Sequence, residues 1–292
     1  MLDWLFDRLI SWPEEITRTS LRLVGYRTRT VHTAFGDLAL LESDGGGRLP
    51  LMMLHGFSAE GVHYAPLLRL LRPQVSRIYL PDLPGHGRSA APDAPVFAGQ
   101  LREEIIQAFD RIIDEPTVIY GNSLGGLVAL HYAIARPEKV RGLILCSPGG
   151  APMSELELGD LRRLFQIGTY REALAFVDRL FVDRSVLRPL IAWGVRRKFA
   201  DPDLQALLAG LKVEDLLRPE ELAALKVPTL LTWGQQDYIL PHSSLDFFKK
   251  HMPASITLIE EPRRHSHTPY LEDPDGVARR IVDFMSSLPR DA

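Results

Sequence analysis

The sequence predicts an α/β fold built on a mainly parallel sheet of eight strands, with helices on both faces. Two observations carry this prediction. From residue 49 to residue 146, short apolar runs of strand length alternate with stretches in which apolar residues recur at helical spacing. The alternation resumes at residue 227 and ends in a helix over residues 275–288. This pattern is typical of parallel strands joined by crossover helices, because the helices cover both faces of the sheet.

The strands are apolar runs bounded by turn-forming residues, such as Gly36-Asp37 between the first two. Taken in order, the predicted strands are 31–35, 38–42, 49–54, 75–80, 117–121, 140–146, 227–233 and 255–260. The predicted helices of this part of the chain are 64–71, 97–113, 124–136 and 275–288. The first three strands follow one another without a helix, so the parallel alternation begins only at the third.

Residues 151–222 interrupt this alternation. They contain several stretches in which Leu, Phe, Ile and Trp recur at helical spacing, and they show no period-two pattern. We therefore predict an α/β core formed by residues 30–150 and 223–292, with a helical insertion over residues 151–222.

An amphipathic extension, residues 1–29, precedes the core. Apolar residues recur at positions i, i+3, i+4, i+7 and i+8 in Leu2, Leu5, Phe6, Leu9 and Ile10. This spacing predicts a short helix over residues 2–12 that stops near Pro13. Together with the arginines at positions 18, 22, 27 and 29, the apolar stripe is suited to rest on an anionic lipid surface. The alternative is that the stripe docks on the body of the protein or on a second subunit; the oligomeric state itself stays unknown.

Composition excludes several classes of function. The 292 residues are 46% hydrophobic and 24% charged, as in a folded globular protein, and a net charge of −3 gives no electrostatic reason to expect nucleic acid binding. Cys146 is the single cysteine, which excludes an intrachain disulfide and favours a reducing compartment. No apolar run has the length of a membrane span, and the first residues lack the cationic start of a signal peptide. We expect a cytoplasmic protein, peripheral to a membrane if residues 2–12 bind lipid.

The stretch G-N-S-L-G over residues 121–125 joins a predicted strand to a predicted helix. A serine on such a sharp turn adopts a strained backbone conformation, and the flanking positions need small residues because side chains there would collide with neighbouring backbone. The turn presents the hydroxyl of Ser123 outward, beside the free N–H groups at the start of the next helix. Ser123 is therefore a candidate nucleophile.

Four further motifs accompany this turn in the order expected of one family. They are H-G-F at residues 55–57, D-L-P-G-H-G-R-S at residues 82–89, G-Q-Q-D-Y-I-L-P at residues 234–241 and H-T-P-Y-L-E-D-P at residues 267–274. With these motifs, the chain resembles the α/β-hydrolase fold serine hydrolases from about residue 30 to residue 288. The resemblance implies that residues 151–222 form a helical cap over the active site, inserted after strand 6.

The resemblance also implies the roles of individual residues. Ser123 is the nucleophile, Asp237 the acid and His267 the base of a catalytic triad. The backbone N–H groups of Phe57 and Leu124 form the oxyanion hole, since one donor follows the H-G pair and the other follows the nucleophile.

Four further residues in or beside these motifs need an interpretation. His265 competes with His267 for the role of base, because either histidine satisfies the order Ser, Asp, His; the family motif matches only from His267 onward. Ser266 departs from the glycine that the family commonly has before its histidine. His86 and Arg88 are interpreted as residues that shape a loop.

The expected activity is hydrolysis of carboxylic esters with an apolar acyl chain, as in carboxylesterases and monoacylglycerol lipases, without a cofactor or a metal. The substrate is then a small-molecule ester held beneath the Leu-rich cap. One alternative is a carbon–carbon bond hydrolase of ring-cleavage products, because G-N-S-L-G-G resembles the corresponding turn of those enzymes. The loop at residues 55–58 and Thr268 depart from the pattern of that group. A second alternative is a ligand-binding module without turnover.

Overall fold

The computed structural model of the chain describes residues 12–91, 99–183 and 185–289. Its eight strands confirm the predicted sheet. They are β1 (Arg27–Thr33), β2 (Gly36–Asp44), β3 (Leu51–Leu54), β4 (Arg77–Pro81), β5 (Thr117–Ser123), β6 (Val140–Pro148), β7 (Thr229–Thr232) and β8 (Thr257–Glu260). The sheet therefore follows the apolar runs of the sequence to within a few residues.

The strand order in the sheet is β1-β2-β4-β3-β5-β6-β7-β8. β2 runs antiparallel to β1 and to β4. The remaining neighbours in the sheet, β4-β3-β5-β6-β7-β8, all pair in parallel. The carboxyl ends of parallel strands lie at one edge of a sheet, so the loops that follow β3, β4, β5, β7 and β8 meet there. Each of these five loops carries one of the motifs named above.

Helices cover both faces of the sheet. The helices outside the segment between β6 and β7 are α1 (Trp12–Leu23), α2 (Ala65–Leu71), α3 (Gly99–Asp110), α4 (Leu124–Ala135), α10 (His242–His251), α11 (Pro269–Glu272) and α12 (Pro274–Ser287). One apolar core lies between the sheet and helices α3, α4 and α10, and a second lies between the sheet and helices α1, α2 and α12. The prediction of a sheet that is buried on both faces is confirmed.

Five α-helices lie in the described part of the segment between β6 and β7. They are α5 (Glu155–Phe165), α6 (Tyr170–Leu180), α7 (Arg188–Lys198), α8 (Pro202–Gly210) and α9 (Pro219–Ala223). Two of them begin with a capping box. Ser154 caps α5 and Thr169 caps α6, each in reciprocal hydrogen bonds with the glutamate three residues later. Their inner side chains belong to the same core as α3 and α4. These helices are called the cap below; the domain boundaries at residues 29, 150 and 222 stay a prediction.

The N-terminal extension differs in one respect from its expected form. The helix predicted over residues 2–12 lies outside the described residues, apart from Trp12. A helix begins at Trp12 and ends at Leu23, with Pro13 in its first turn; proline is tolerated there because the first N–H groups of a helix have no intrahelical acceptor. Arg18, grouped above with residues suited to lipid, is instead 2% exposed and pairs with Glu60 and Asp82.

No helix in the described ranges is both long and apolar enough to cross a membrane.

Candidate active site

Ser123 ends β5, and α4 begins at the next residue. Its backbone has φ 53° and ψ −118°, a conformation that side-chain-bearing residues rarely adopt. Strain of this kind costs roughly 1–3 kcal/mol and persists only where the surrounding structure imposes it. The sharp turn inferred from the sequence is present.

The two glycines of this turn have no room for a side chain. A Cβ atom on Gly121 would lie 2.4 Å from the carbonyl oxygen of Gly125, and one on Gly125 would lie 2.1 Å from that of Leu54. Both neighbours are backbone atoms, which cannot rotate away as a side chain can. Close packing of the end of β5 against the start of α4 explains the glycine at position 121, and close packing of α4 against the end of β3 explains the glycine at position 125.

His267 and Asp237 come together on neighbouring loops. His267 Nδ1 lies 2.8 Å from Asp237 Oδ2, and the two side chains are 6% and 0% exposed. Burial raises the pKa of Asp237, but the charge and hydrogen bond of His267, with the N–H of Ile239, outweigh it, so the pKa stays below its usual value. Asp237 is thus an anion that fixes the ring orientation of His267.

The hydroxyl of Ser123 and Nε2 of His267 make no hydrogen bond with each other within the described residues. The bond between a nucleophile and its base is often long in a free enzyme and tightens when substrate binds. The loop of His267 is nevertheless tied to the serine turn, because Asn122 Nδ2 donates to the carbonyl oxygens of His267 (2.9 Å) and Cys146 (3.0 Å). Asn122 has no predicted role in the sequence. The feature that could have indicated one is a polar side chain inside a wholly buried strand.

Ser266 organises the turn that carries His267. Its hydroxyl donates to Glu272 and accepts a hydrogen bond from the N–H of Thr268 at 3.2 Å. The Glu272 carboxylate also accepts the N–H of Val182 at 2.5 Å, so it joins this turn to the cap. The departure from glycine at position 266 is therefore accommodated by a specific hydrogen-bond partner, Glu272.

His265 occupies a different environment from His267. Its Nε2 lies 3.2 Å from Asp273, which caps the start of α12, and no hydrogen bond links it to Asp237. Burial lowers the pKa of His265, and the hydrogen bond to Asp273 offsets this only in part. Of the two competing histidines, only His267 faces the carboxylate of Asp237 within the described residues.

The two predicted oxyanion donors lie beside the nucleophile. Leu124 is the first residue of α4, and within the described residues its N–H and that of Phe57 donate no backbone hydrogen bond. A Cβ atom on Gly56 would lie 3.2 Å from Ser123 Cβ, so the loop before Phe57 runs directly against the serine. An oxyanion donor needs an N–H group without an internal acceptor, and both residues meet this condition for backbone acceptors in the described part of the chain.

His86 and its neighbours hold the loop of residues 82–89 as the sequence analysis expects. His55 Nε2 accepts the N–H of Leu83 at 2.9 Å, and His86 Nδ1 lies 2.9 Å from the carbonyl oxygen of Pro84. Burial lowers the pKa of His55 to about 4 and that of His86 to about 3, so both rings are neutral. Neutral histidines of this kind act as structural hydrogen-bonding groups.

An apolar cavity of about 720 Å³, including its open mouth, lies between the serine turn and the cap. Among its described lining residues, only Ser123 has a polar side chain. The others are Phe57, Leu124, Leu127, Gly149, Gly150, Met153, Leu161, Phe165, Leu207, Leu208, Leu211, Leu216 and Leu240. The residue types of the cap predict an apolar surface but not which side chains form it, because helical periodicity does not say which buried face meets a cavity.

No group of three or more His, Cys, Asp or Glu side chains in the described ranges is arranged to hold a metal ion.

The chain is similar to known hydrolases and esterases over most of its length. The model of the "Alpha/beta hydrolase family" matches residues 51–280. A pimeloyl-[acyl-carrier protein] methyl ester esterase from Xanthomonas oryzae pv. oryzae is 34% identical over 253 residues, which covers 82% of this chain and 96% of that protein. An enzyme of the same name from Aeromonas hydrophila is 29% identical, covering 80% and 94%.

Two solved structures are similar over most of the chain. The structure of a membrane phospholipase A, described as a bacterial virulence factor, has a TM-score of 0.78 and 25% identity, covering 99% of this chain and 98% of that one. The carboxylesterase CesB from Bacillus subtilis has a TM-score of 0.76 and 21% identity, covering 93% and 96%. At 21% identity, the similarity to the carboxylesterase shows a shared fold and nothing about activity.

Proposed function

Because the chain belongs to the alpha/beta hydrolase family, we propose that it is a serine hydrolase that cleaves carboxylic esters with an apolar acyl chain. One observation carries the proposal: the strained Ser123 lies at the wall of an apolar cavity, while a buried histidine–aspartate pair is tied to the same turn. The relatives named as methyl ester esterases support the choice of an ester bond.

The proposed reaction assigns one role to each residue. His267, oriented by Asp237, takes the proton of Ser123 as the serine oxygen attacks the ester carbonyl. The N–H groups of Phe57 and Leu124 stabilise the oxyanion of the tetrahedral intermediate. The intermediate collapses to an acyl-enzyme as the protonated His267 gives its proton to the departing alcohol. Water, activated by the same histidine, then releases the carboxylic acid and restores Ser123.

The cavity indicates which part of the ester is recognised. Apart from Ser123, the described lining residues offer no polar or charged side chain to an extended substrate, whereas burial of an alkyl chain there is favourable by about 0.8 kcal/mol per CH₂ group. We therefore place the acyl chain in the cavity, with the ester carbonyl at Ser123.

Narrowing the cavity is expected to shorten the preferred acyl chain. Leu161 and Leu164 lie on the same face of α5, both are half-buried, and only Leu161 lines the cavity. We expect Leu161→Trp to lower kcat/KM for p-nitrophenyl octanoate by about tenfold and that for the acetate by less than about twofold, because the indole occupies the space of the chain. Initial rates on p-nitrophenyl esters from acetate to palmitate measure this.

Leu164→Trp is the matched control, and its chain-length profile should equal that of the unmodified protein. Equal losses on short and long esters in Leu161→Trp would contradict the placement of the acyl chain. If the unmodified protein hydrolysed no ester, the esterase proposal itself would fail.

We further propose that the apolar stripe of residues 2–12 contacts a lipid surface. At the end of the helix that follows this stripe, Leu23 and Val24 are 84% and 57% exposed, and the similar phospholipase is named a membrane protein. The full-length double variant Leu5→Glu, Leu9→Glu is expected to lose most co-sedimentation with vesicles containing anionic lipid, because charge opposes burial of the stripe.

Leu156→Glu, at an exposed apolar position of the cap, is the control and should sediment as the unmodified protein does. Equally poor sedimentation of unmodified protein and double variant would contradict lipid contact. A change of oligomeric state in the double variant would instead support contact with a second subunit.

A further inference from the structure

A buried carboxylate lies in the loop that carries one of the two oxyanion donors. Glu60 follows Phe57 by three residues and is 8% exposed. Its Oε2 accepts a hydrogen bond from Arg18 Nη2 at 3.1 Å, and its Oε1 accepts one from Lys198 Nζ at 2.6 Å. One cation comes from α1 and the other from the cap, so the Glu60 side chain joins three separate parts of the chain.

The α1 side of this network anchors the loop to the body of the protein. Arg18 also donates to Asp82 at 3.2 Å, and Asp82 accepts the N–H of Gly61 at 2.9 Å and that of Arg88 at 3.1 Å. The loops after β3 and β4 are therefore held together by one buried guanidinium and one buried carboxylate. Because all of these groups lie in the body of the protein, this side does not depend on the position of the cap.

The cap side holds the same loop at a second point. Lys198 is the last residue of α7, and the ring of the next residue, Phe199, lies 6.1 Å from that of Phe57. The ring of Phe165, on α5, lies 5.4 Å from the Phe57 ring. An ion pair and a ring cluster thus connect the cap to the four-residue stretch that contains the Phe57 N–H.

The Glu60 side chain is charged at neutral pH. Burial raises its pKa, but Lys198, His63 and Arg18 outweigh burial and lower the pKa to about 2. A charged carboxylate holds Lys198 more strongly than a neutral one, because the hydrogen bond is then charge-assisted on both sides; the Glu60 side chain is 10% exposed and that of Lys198 32%.

We propose that the Glu60–Lys198 ion pair positions the Phe57 N–H, so that the oxyanion hole reaches its working geometry only when α7 is seated against the body. This inference rests on the proposed function. The main chain at Gly56 leaves no free space beside Ser123, so a small displacement of the loop changes the distance from the N–H to the oxyanion. Hydrogen-bond strength falls steeply with distance and angle, which makes catalysis sensitive to such a displacement. Lys198 and Glu60 are positioning residues, because neither contacts the reacting atoms in this mechanism.

The test uses the full-length protein with Lys198→Met. This variant keeps the methylene stem and leaves Glu60 paired with Arg18, so the fold is retained. We expect kcat for p-nitrophenyl butyrate to fall about 10- to 100-fold while KM changes less than about threefold. Affinity for an octyl trifluoromethyl ketone, whose hemiketal oxyanion occupies the hole, should fall in parallel with kcat. Affinity for octane, which fills the acyl site and has no oxygen atom to enter the hole, should stay within about twofold.

Two further variants make the result specific. Lys198→Arg restores a cation at this position and should recover most of kcat. Glu15→Gln breaks the pair of Glu15 with Arg88, which also joins α1 to the loop after β4 but does not contact Glu60, and should leave kcat unchanged. Unfolding curves in urea confirm that the variants compared are folded at the assay temperature.

The inference is overturned if Lys198→Met keeps its kcat, or if KM and octane affinity change while ketone affinity does not. An equal loss of kcat in Glu15→Gln would also overturn it, because the effect would then belong to the docking of α1 in general. Absence of ester hydrolysis by the unmodified protein contradicts the proposed function instead, and it is observed before any variant is compared.

Discussion

Replacing Ser123 by alanine is expected to lower kcat for p-nitrophenyl butyrate by about four to six orders of magnitude. Without the hydroxyl no acyl-enzyme forms, and the residual rate comes only from water attacking a substrate held at the oxyanion hole. The folded state should persist, because alanine retains the Cβ atom and the turn is imposed by the packing of Gly121 and Gly125. Stopped-flow or long time-course assays of purified protein measure the loss, and mass spectrometry after fluorophosphonate treatment locates the modified residue.

The two histidines of the same loop provide the matched comparison. His267→Ala should lose kcat to a similar extent as the serine variant, since the proton of Ser123 then has no acceptor. His265→Ala should retain kcat to within about threefold, because His265 pairs with Asp273 and not with Asp237. The reverse ranking would move the base to His265, and full activity of Ser123→Ala would remove the serine mechanism altogether.

Replacing Arg18 by methionine is expected to lower the free energy of unfolding by about 3–5 kcal/mol. Methionine fills a similar volume but leaves Asp82 without a cation and Glu60 with only Lys198, in a site where Arg18 is 2% exposed. An uncompensated buried charge is costly because little water reaches it. Equilibrium unfolding in urea, followed by tryptophan fluorescence, measures the change in midpoint at constant slope.

Arg22→Met, on the same helix, is the control for this experiment. Its guanidinium donates to Thr28 at the surface, so its loss should cost less than about 0.5 kcal/mol. The free energy of unfolding of the unmodified protein, measured as a function of pH, is a second test of the buried pairs. The pKa of Glu60 is lowered from 4.5 to about 2, so its contribution to stability is complete above pH 4.5 and is lost as the pH falls towards 2. Equal costs for Arg18→Met and Arg22→Met would show that the buried pairs do not stabilise the fold.

The order of strands and helices was readable from the sequence, because it depends on local periodicity. Apolar runs near 117–121 and 140–146 became β5 and β6, and the glycines flanking Ser123 predicted a turn that the backbone then shows. Helix α10 was missed, since its apolar positions are few and lie between polar ones. Helix α1 is not predicted either, because Pro13 stands in its first turn, and a proline there cannot be told in the sequence from one that follows a helix.

In the candidate site, too, some features are predictable from the sequence and others are not. A sequence motif identifies residues whose types suit a reaction. Of the residues predicted in this way, His267 and Asp237 meet in the structure, with 2.8 Å between Nδ1 and Oδ2. Their catalytic roles stay a prediction until the variants are measured. Asn122, Ser266 and Glu272 had no assigned role in holding the base loop, because the value of a polar side chain depends on which partner the fold brings to it.

By itself, the sequence determined the class of fold, the strained serine turn and the apolar character of the cap, since each depends on residues close together in the chain. Tertiary structure alone decided that Arg18, Glu60 and Lys198 meet, and which cap side chains line the cavity. Glu60 and Lys198 are 138 residues apart, and neither stands in a recognisable motif. Buried ion pairs and cavity walls arise from contacts between distant segments, and periodicity and local motifs carry no information about such contacts.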